Sequence, residues 1–310
     1  MSASPKTFGN EIDDGEPKPC QGVRVQMRND RAGSEPAHRG DRLAAMTRRV
    51  LITGSTTGLG RAAAVALLTA GHEVVVHARS VSRAGDLGQL ATTAAGVVIG
   101  DLAELDDIRS VAEQANRFGV FDAVIHNAGI YVEATRSPTS DGHARVFAVN
   151  TLAPYLLTAL VARPSRLIYL SSGMHRSGDA SLRDLDWTER PWSGVQAYCD
   201  SKLQVTAFSA ALARRWPDVV ASAVDPGWVP TRMGGPGATG DLVLGHVTQV
   251  WLAASDDPAA EVSGRYWHHQ RTERPAPAAE DVTFQDALLD ELARLTGVTL
   301  DPTQAEPTPE

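Results

Sequence analysis

The chain is 310 residues long, 43% hydrophobic and 21% charged, with a formal net charge of -8 at pH 7. That length and apolar content suit one enzyme-sized domain with a substantial core, and the acidic balance, without a basic run or basic and aromatic interleaving, argues against a nucleic-acid partner. Two cysteines, Cys20 and Cys199, are too few for a disulfide framework.

Residues 1–45 are polar and rich in Gly, Pro and charge, lack the apolar core of a signal peptide, and cannot bury enough surface to order themselves. We expect 1–45 to be a disordered tail and read Met46, just ahead of the first apolar run, as the natural start. No segment reaches the ~18 uninterrupted apolar residues of a membrane helix. The expectation is a cytoplasmic protein without a membrane span.

Val50-Leu51-Ile52 reads as a buried strand, followed by a glycine-rich turn and an alanine-rich helix over 62–70 that Gly71 ends. Strands are expected over 73–77, 97–100 and 121–126. A helix over 140–161 leads to a strand over 166–171, and a second helix, carrying Tyr198 and Lys202, runs to 216. The rest reads as a strand over 219–224, a helix over 241–255, a short strand over 265–267 and a last helix over 281–295. Residues 299–310 are Pro- and acid-rich and should fray. Strands alternating with helices give an α/β domain over 46–298, a parallel sheet covered on both faces.

Two patterns carry chemistry. In Thr53-Gly54-Ser55-Thr56-Thr57-Gly58-Leu59-Gly60, between a strand and a helix, Gly54 allows a tight turn, Gly58 lets the backbone approach a pyrophosphate, and Gly60 lets the helix pack on the strand with its N-terminus facing the anion. Tyr198 and Lys202 stand one helical turn apart, a phenol and an ammonium on one face. A free tyrosine titrates near pH ~10, and a cation beside it favours the phenolate. Tyrosine and lysine meet at this spacing by chance on many helices, so the pair gains meaning from its company. Cys199, after the tyrosine, reads as packing. His175 reads as a solvated histidine in preference to a substrate contact, and His268-His269 lack the spacing of a metal site, so no metal is expected.

With Asp101-Leu102, Asn127-Ala128-Gly129, Asn150, Ser171-Ser172 and Asp225-Pro226-Gly227, these patterns follow one another in an order that resembles the short-chain dehydrogenase/reductase family. The likeness runs from about residue 50 to 231 and, more weakly, to 297. The stretch Ser171-Ser172-Gly173-Met174-His175, then Asp184-Leu185-Asp186-Trp187, looks most like the retinol-dehydrogenase-like branch. The resemblance implies a single Rossmann-type doubly wound sheet and an oxidoreductase interconverting a carbonyl and an alcohol on an apolar small molecule. It implies Asn150, Ser172, Tyr198 and Lys202 as catalytic residues, with Tyr198 the proton donor, Lys202 depressing its pKa and holding the nicotinamide ribose, and Asn150 positioning a water. Cofactor contacts are implied at Gly54, Ser55, Gly58, Leu59, Gly60, Arg79, Asp101, Leu102, Asn127, Ala128, Gly129, Tyr198, Lys202, Pro226, Gly227, Val229 and Thr231. Asp101 would accept from the adenine amino group, and an aspartate at such a place is also an N-cap.

No acidic residue ends the second strand, Val74-Val75-Val76-His77-Ala78-Arg79, to bind a ribose 2′-hydroxyl. Arg79 offers a charged planar fork suited to a 2′-phosphate, with Ser55 as a further donor. NADP is therefore the expected cofactor, with NADPH favoured over NADH. The insert between Ser172 and Tyr198 is longer than most members of the family have; its Trp187 and Trp192 either line a substrate pocket or anchor the insert. The short connection after the Asn150 helix leaves a homo-oligomer open. Residues 232–240 have the composition of a mobile lid or of a slack loop. A non-catalytic NADP-binding sensor is the alternative function, and a nucleotide-sugar epimerase or dehydratase a more distant third.

Overall fold

The computed structural model describes residues 46–300, so the expectations for 1–45 and 301–310 lie outside the described residues. Its strands are β1 (Arg49–Ile52), β2 (Glu73–Ala78), β3 (Gly96–Ile99), β4 (Ala123–His126), β5 (Arg166–Leu170), β6 (Val220–Asp225), β7 (Arg265–His268) and β8 (Arg271–Glu273). They form one sheet in the order β3-β2-β1-β4-β5-β6-β7-β8. Pairing is parallel throughout except for β8, which turns back antiparallel on β7.

The larger helices are α1 (Gly58–Thr69), α2 (Leu105–Asn116), α3 (Ala153–Leu160), α4 (Gly194–Arg215), α5 (Leu244–Ala254) and α6 (Val282–Thr296). They cover both faces of the sheet, which is why its strands read as continuous apolar runs rather than alternating ones. Side chains still alternate by strand geometry. Leu51, Val75 and Val124 point into a core shared with α2, α3, α4 and α6, whereas Val50, Ile52, Val74 and Val76 point into a second core shared with α1 and α5. The doubly wound α/β fold expected from the sequence is the fold observed.

Two local expectations are corrected. The helix foreseen over 140–161 starts only at Arg145, because Pro138 and Ala144 form an isolated antiparallel bridge and Ser140 is drawn to the Glu104 carboxylate. It then runs through a π-helical stretch, Ala148–Leu152, before α3. The second is β8, which was not foreseen: its residues are charged or polar and exposed, so it carries no apolar signal. Strand order reverses between β1 and β4, and at such a switch point a crevice opens beyond the carboxyl ends of the strands.

Candidate active site

At the end of β1 the chain must turn sharply into α1. Gly54 takes φ +66°, and a Cβ there would lie 2.8 Å from the Ala128 Cα; one on Gly60 would lie 2.3 Å from Asn127 Nδ2 and 2.5 Å from the Gly54 carbonyl oxygen. Only glycine fits either place. Asn127 braces the turn by donating to the carbonyls of Thr53 (2.9 Å) and Gly54 (3.2 Å), and the Ala128 N–H donates to Thr53 Oγ1 at 3.0 Å. Thr57, the N-cap of α1, makes no side-chain cap bond. The first-turn amides of α1 therefore keep their donors for a ligand, the arrangement a diphosphate requires.

The turn opens onto a cavity of about 570 Å³. Its wall takes Gly54, Gly58, Leu59, Arg79, Asp101, Leu102, Asn127, Ala128, Gly129, Tyr198, Lys202, Pro226 and Thr231 from the residues the sequence singled out. Thr56, Thr57 and His77, which sequence reasoning did not select, line it as well. Ser55, Gly60, Gly227 and Val229 sit behind the wall. Ser55 is fully buried, its hydroxyl donating to the Ile52 carbonyl and accepting from the His77 N–H, so it has no donor left for a 2′-phosphate. A Cβ on Gly227 would face His269. Val229 is buried beside Gly245 of α5.

Arg79 is exposed at the end of β2, with its Nε 3.9 Å from Asp101 Oδ2. The N-cap role foreseen for Asp101 is corrected. Its Oδ1 accepts from the Ala103 N–H at 3.1 Å, a local turn, while α2 starts later with Glu104 in the cap position.

On α4, Tyr198 and Lys202 both reach the cavity. The ammonium lies 5.6 Å from the phenol ring centroid and donates to the Leu170 carbonyl at 2.7 Å. Tyr131 meets Tyr198 edge-on, with centroids 4.8 Å apart. Burial pushes the Tyr198 phenol above its ordinary range, and a hydrogen bond with the Ser172 hydroxyl pulls it part of the way back. Burial lowers Lys202 itself to about 8, against the pull of Asp225. Ser172 Oγ also accepts from the Met174 N–H at 3.2 Å.

Asn150 is buried in the π-helical stretch. Its carboxamide accepts from the Ile130 N–H (2.9 Å) and donates to the Ile130 carbonyl and to Ser201 Oγ, both at 3.0 Å. A π-bulge at such a place turns one side chain out of helical register. Here the residue it aims locks the backbone that follows Gly129.

The two tryptophans of the insert anchor it rather than line the cavity. Trp187 is buried with the Arg190 guanidinium 3.5 Å above its ring, and Trp192 donates to the Glu133 carbonyl at 3.0 Å. Arg190 in turn donates to Asp200 of α4 at 3.0 Å. His175 is a further correction. It is wholly buried, shares the Ser172 carbonyl through Nδ1 at 2.7 Å and accepts from the Ala276 N–H through Nε2 at 2.9 Å. Its partner Ala276 lies about a hundred residues along the chain, a contact no local pattern announces. Residues 232–240 hold no helix or strand; Trp228 spans them, donating to the Gly234 carbonyl at 3.0 Å and accepting from the Gly240 N–H at 2.8 Å.

A family profile described as short chain dehydrogenase matches residues 48–239. Short-chain dehydrogenase chry4 of Gibberella zeae is 40% identical over 257 residues, covering 81% of this chain and 98% of its own. Retinol dehydrogenase 13 of Homo sapiens is 31% identical over 295 residues, covering 84% and 88%. Among solved structures, an uncharacterized protein from Mycobacterium Paratuberculosis superposes with a TM-score of 0.70 at 26% identity, over 82% of this chain and 95% of that one.

Proposed function

The chain belongs to the short-chain dehydrogenase/reductase family, retinol-dehydrogenase-like within it, and from that premise we propose that this oxidoreductase uses NADP(H) to interconvert a carbonyl and an alcohol on an apolar small molecule. The observation that carries the reading is one cavity lined by Tyr198, whose phenol is hydrogen-bonded with the Ser172 hydroxyl, by Lys202 and by a glycine cradle with free helix amides.

Once bound, the nicotinamide supplies or accepts the hydride. The chain's own residues handle the oxygen and its proton. Tyr198 and Ser172 hydrogen-bond the substrate oxygen where negative charge develops, and Tyr198 donates its proton in reduction or takes one in oxidation. Lys202, charged at neutral pH even with its pKa lowered to about 8, opposes the charge that grows on the phenolate. Asn150 holds Ile130 and so fixes the cavity wall beside Lys202.

Arg79 supports the choice of NADP. It is the cation at the end of β2, its side chain is 54% exposed, and its contact with Asp101, at 3.9 Å, leaves its donors largely uncommitted. A phosphate on the ribose would give it a bidentate partner. Ile130, Tyr131, Val132 and Met233 on the cavity wall support an apolar substrate. The test is NADPH oxidation against a panel of aldehydes, ketones and quinones. Turnover with apolar carbonyl compounds supports the proposal, and a protein that binds NADPH yet turns over none of the panel refutes it.

A further inference from the structure

His77 lies within β2, where an apolar residue would serve the core, yet every polar group it owns is spent on the loops that frame the cavity. Its N–H donates to Ser55 Oγ at 3.1 Å, and its carbonyl accepts from the Ser55 N–H at 3.1 Å. On the ring, Nδ1 accepts from the Gly54 N–H at 3.0 Å, and Nε2 lies 2.9 Å from the Gly100 carbonyl oxygen. A carbonyl can only accept, so the proton sits on Nε2 and Nδ1 offers its lone pair. One neutral tautomer therefore joins the first glycine of the cradle to the residue before Asp101.

We propose that His77 is a positioning residue for the dinucleotide, a neutral imidazole staple between Gly54 and Gly100 that holds the phosphate cradle and the adenosine end of the cavity in register. The inference rests on the cofactor reading above. Arg79 follows the last residue of β2, two positions after His77, so the staple fixes the stem from which Arg79 reaches.

The geometry makes the staple intolerant of a second proton. An N–H on Nδ1 would face the Gly54 N–H, donor against donor, and the turn has little room to yield because Gly54 is already against Ala128. The titratable groups nearby are few. Asp101, after Gly100, favours the charged ring; Arg79, just past the end of β2, stands 3.9 Å from that aspartate; the glycine turn itself contributes none. Burial outweighs the Gly100 carbonyl and Asp101, both of which favour the charged ring, and lowers the His77 pKa. The sign follows: the staple is intact above 6.5, the ordinary value, and is lost as pH falls through the lower folded value.

The experiment compares wild type with His77→Val, which keeps a strand-forming apolar residue but no ring donor or acceptor, and His77→Asn, which keeps an acceptor for Gly54 and does not titrate. Nitrogen-15 NMR of the ligand-free protein should show the ring proton on Nε2 at pH 7.5. NADPH Kd is then read by fluorescence from pH 7.5 to 5, with folding of each variant checked by circular dichroism. His77→Val should weaken binding about tenfold or more, the loss of two buried hydrogen bonds, and His77→Asn should recover part of it. The cofactor's own phosphate titrates equally in all three proteins, so the added acid loss of wild type over His77→Asn isolates the staple. A folded His77→Val that binds like wild type, or a ring proton found on Nδ1 at pH 7.5, overturns the inference. Failure of wild type to bind NADPH would instead overturn the cofactor reading.

Discussion

The Asn150 carboxamide and the Lys202 ammonium flank the side-chain position of Gly129: a Cβ there would lie 3.3 Å from Asn150 Oδ1 and 3.6 Å from Lys202 Nζ. Glycine at 129 thus leaves space for both groups beside the cavity wall. Both are already committed to backbone, Asn150 to Ile130 and Lys202 to Leu170.

Gly129→Ala should therefore disturb proton handling more than folding. A single methyl at 3.3 Å displaces its neighbour by a few tenths of an ångström. We expect kcat to fall about tenfold, near 1.4 kcal/mol of barrier, with a melting temperature close to wild type. Steady-state kinetics beside a thermal melt checks this.

Arg79→Ala should cost affinity for NADPH and not for NADH. A charged hydrogen bond to phosphate contributes ~1.5–3 kcal/mol, so the NADPH to NADH ratio of kcat/KM should drop about tenfold to a hundredfold. An unchanged ratio would place the 2′-phosphate elsewhere or remove it from the account.

His143 makes stability depend on pH. Its Nδ1 lies 3.0 Å from Asp186 Oδ2, and that hydrogen bond raises the histidine pKa above 6.5 despite burial. A raised pKa means the stabilisation is fully present below 6.5 and is lost as pH climbs through the folded value. The urea midpoint of wild type should accordingly fall across that window relative to its neighbours in pH, and Asp186→Asn should flatten the response. Urea titrations from pH 5 to 9 measure it.

What the sequence made legible follows from how local each signal is. The runs at Val50-Leu51-Ile52 and Val74-Val75-Val76 mark strands covered on both faces, and the glycines at 54, 58 and 60 mark a turn whose crowding is set by near neighbours. Tyr198 and Lys202 lie on one helix, so their spacing settles that they share a face. Features built by distant backbone escaped. His77 answers to Gly54 and Gly100, and His175 to Ala276, each a pairing that only the assembled sheet creates. Ser55 misled for the same reason, since its hydroxyl is claimed by Ile52 and His77 inside the turn. The helix foreseen from 140 begins late because Glu104 and the Pro138–Ala144 bridge hold its first residues.

The most direct measurement replaces one atom. Tyr198→Phe keeps the ring that packs against Tyr131 and removes the hydroxyl. NADPH affinity and carbonyl turnover are then read on the same preparation. The account predicts a Kd within a few-fold of wild type and a kcat lower by about 10²–10⁴. Turnover that survives the substitution, with binding intact, would contradict it.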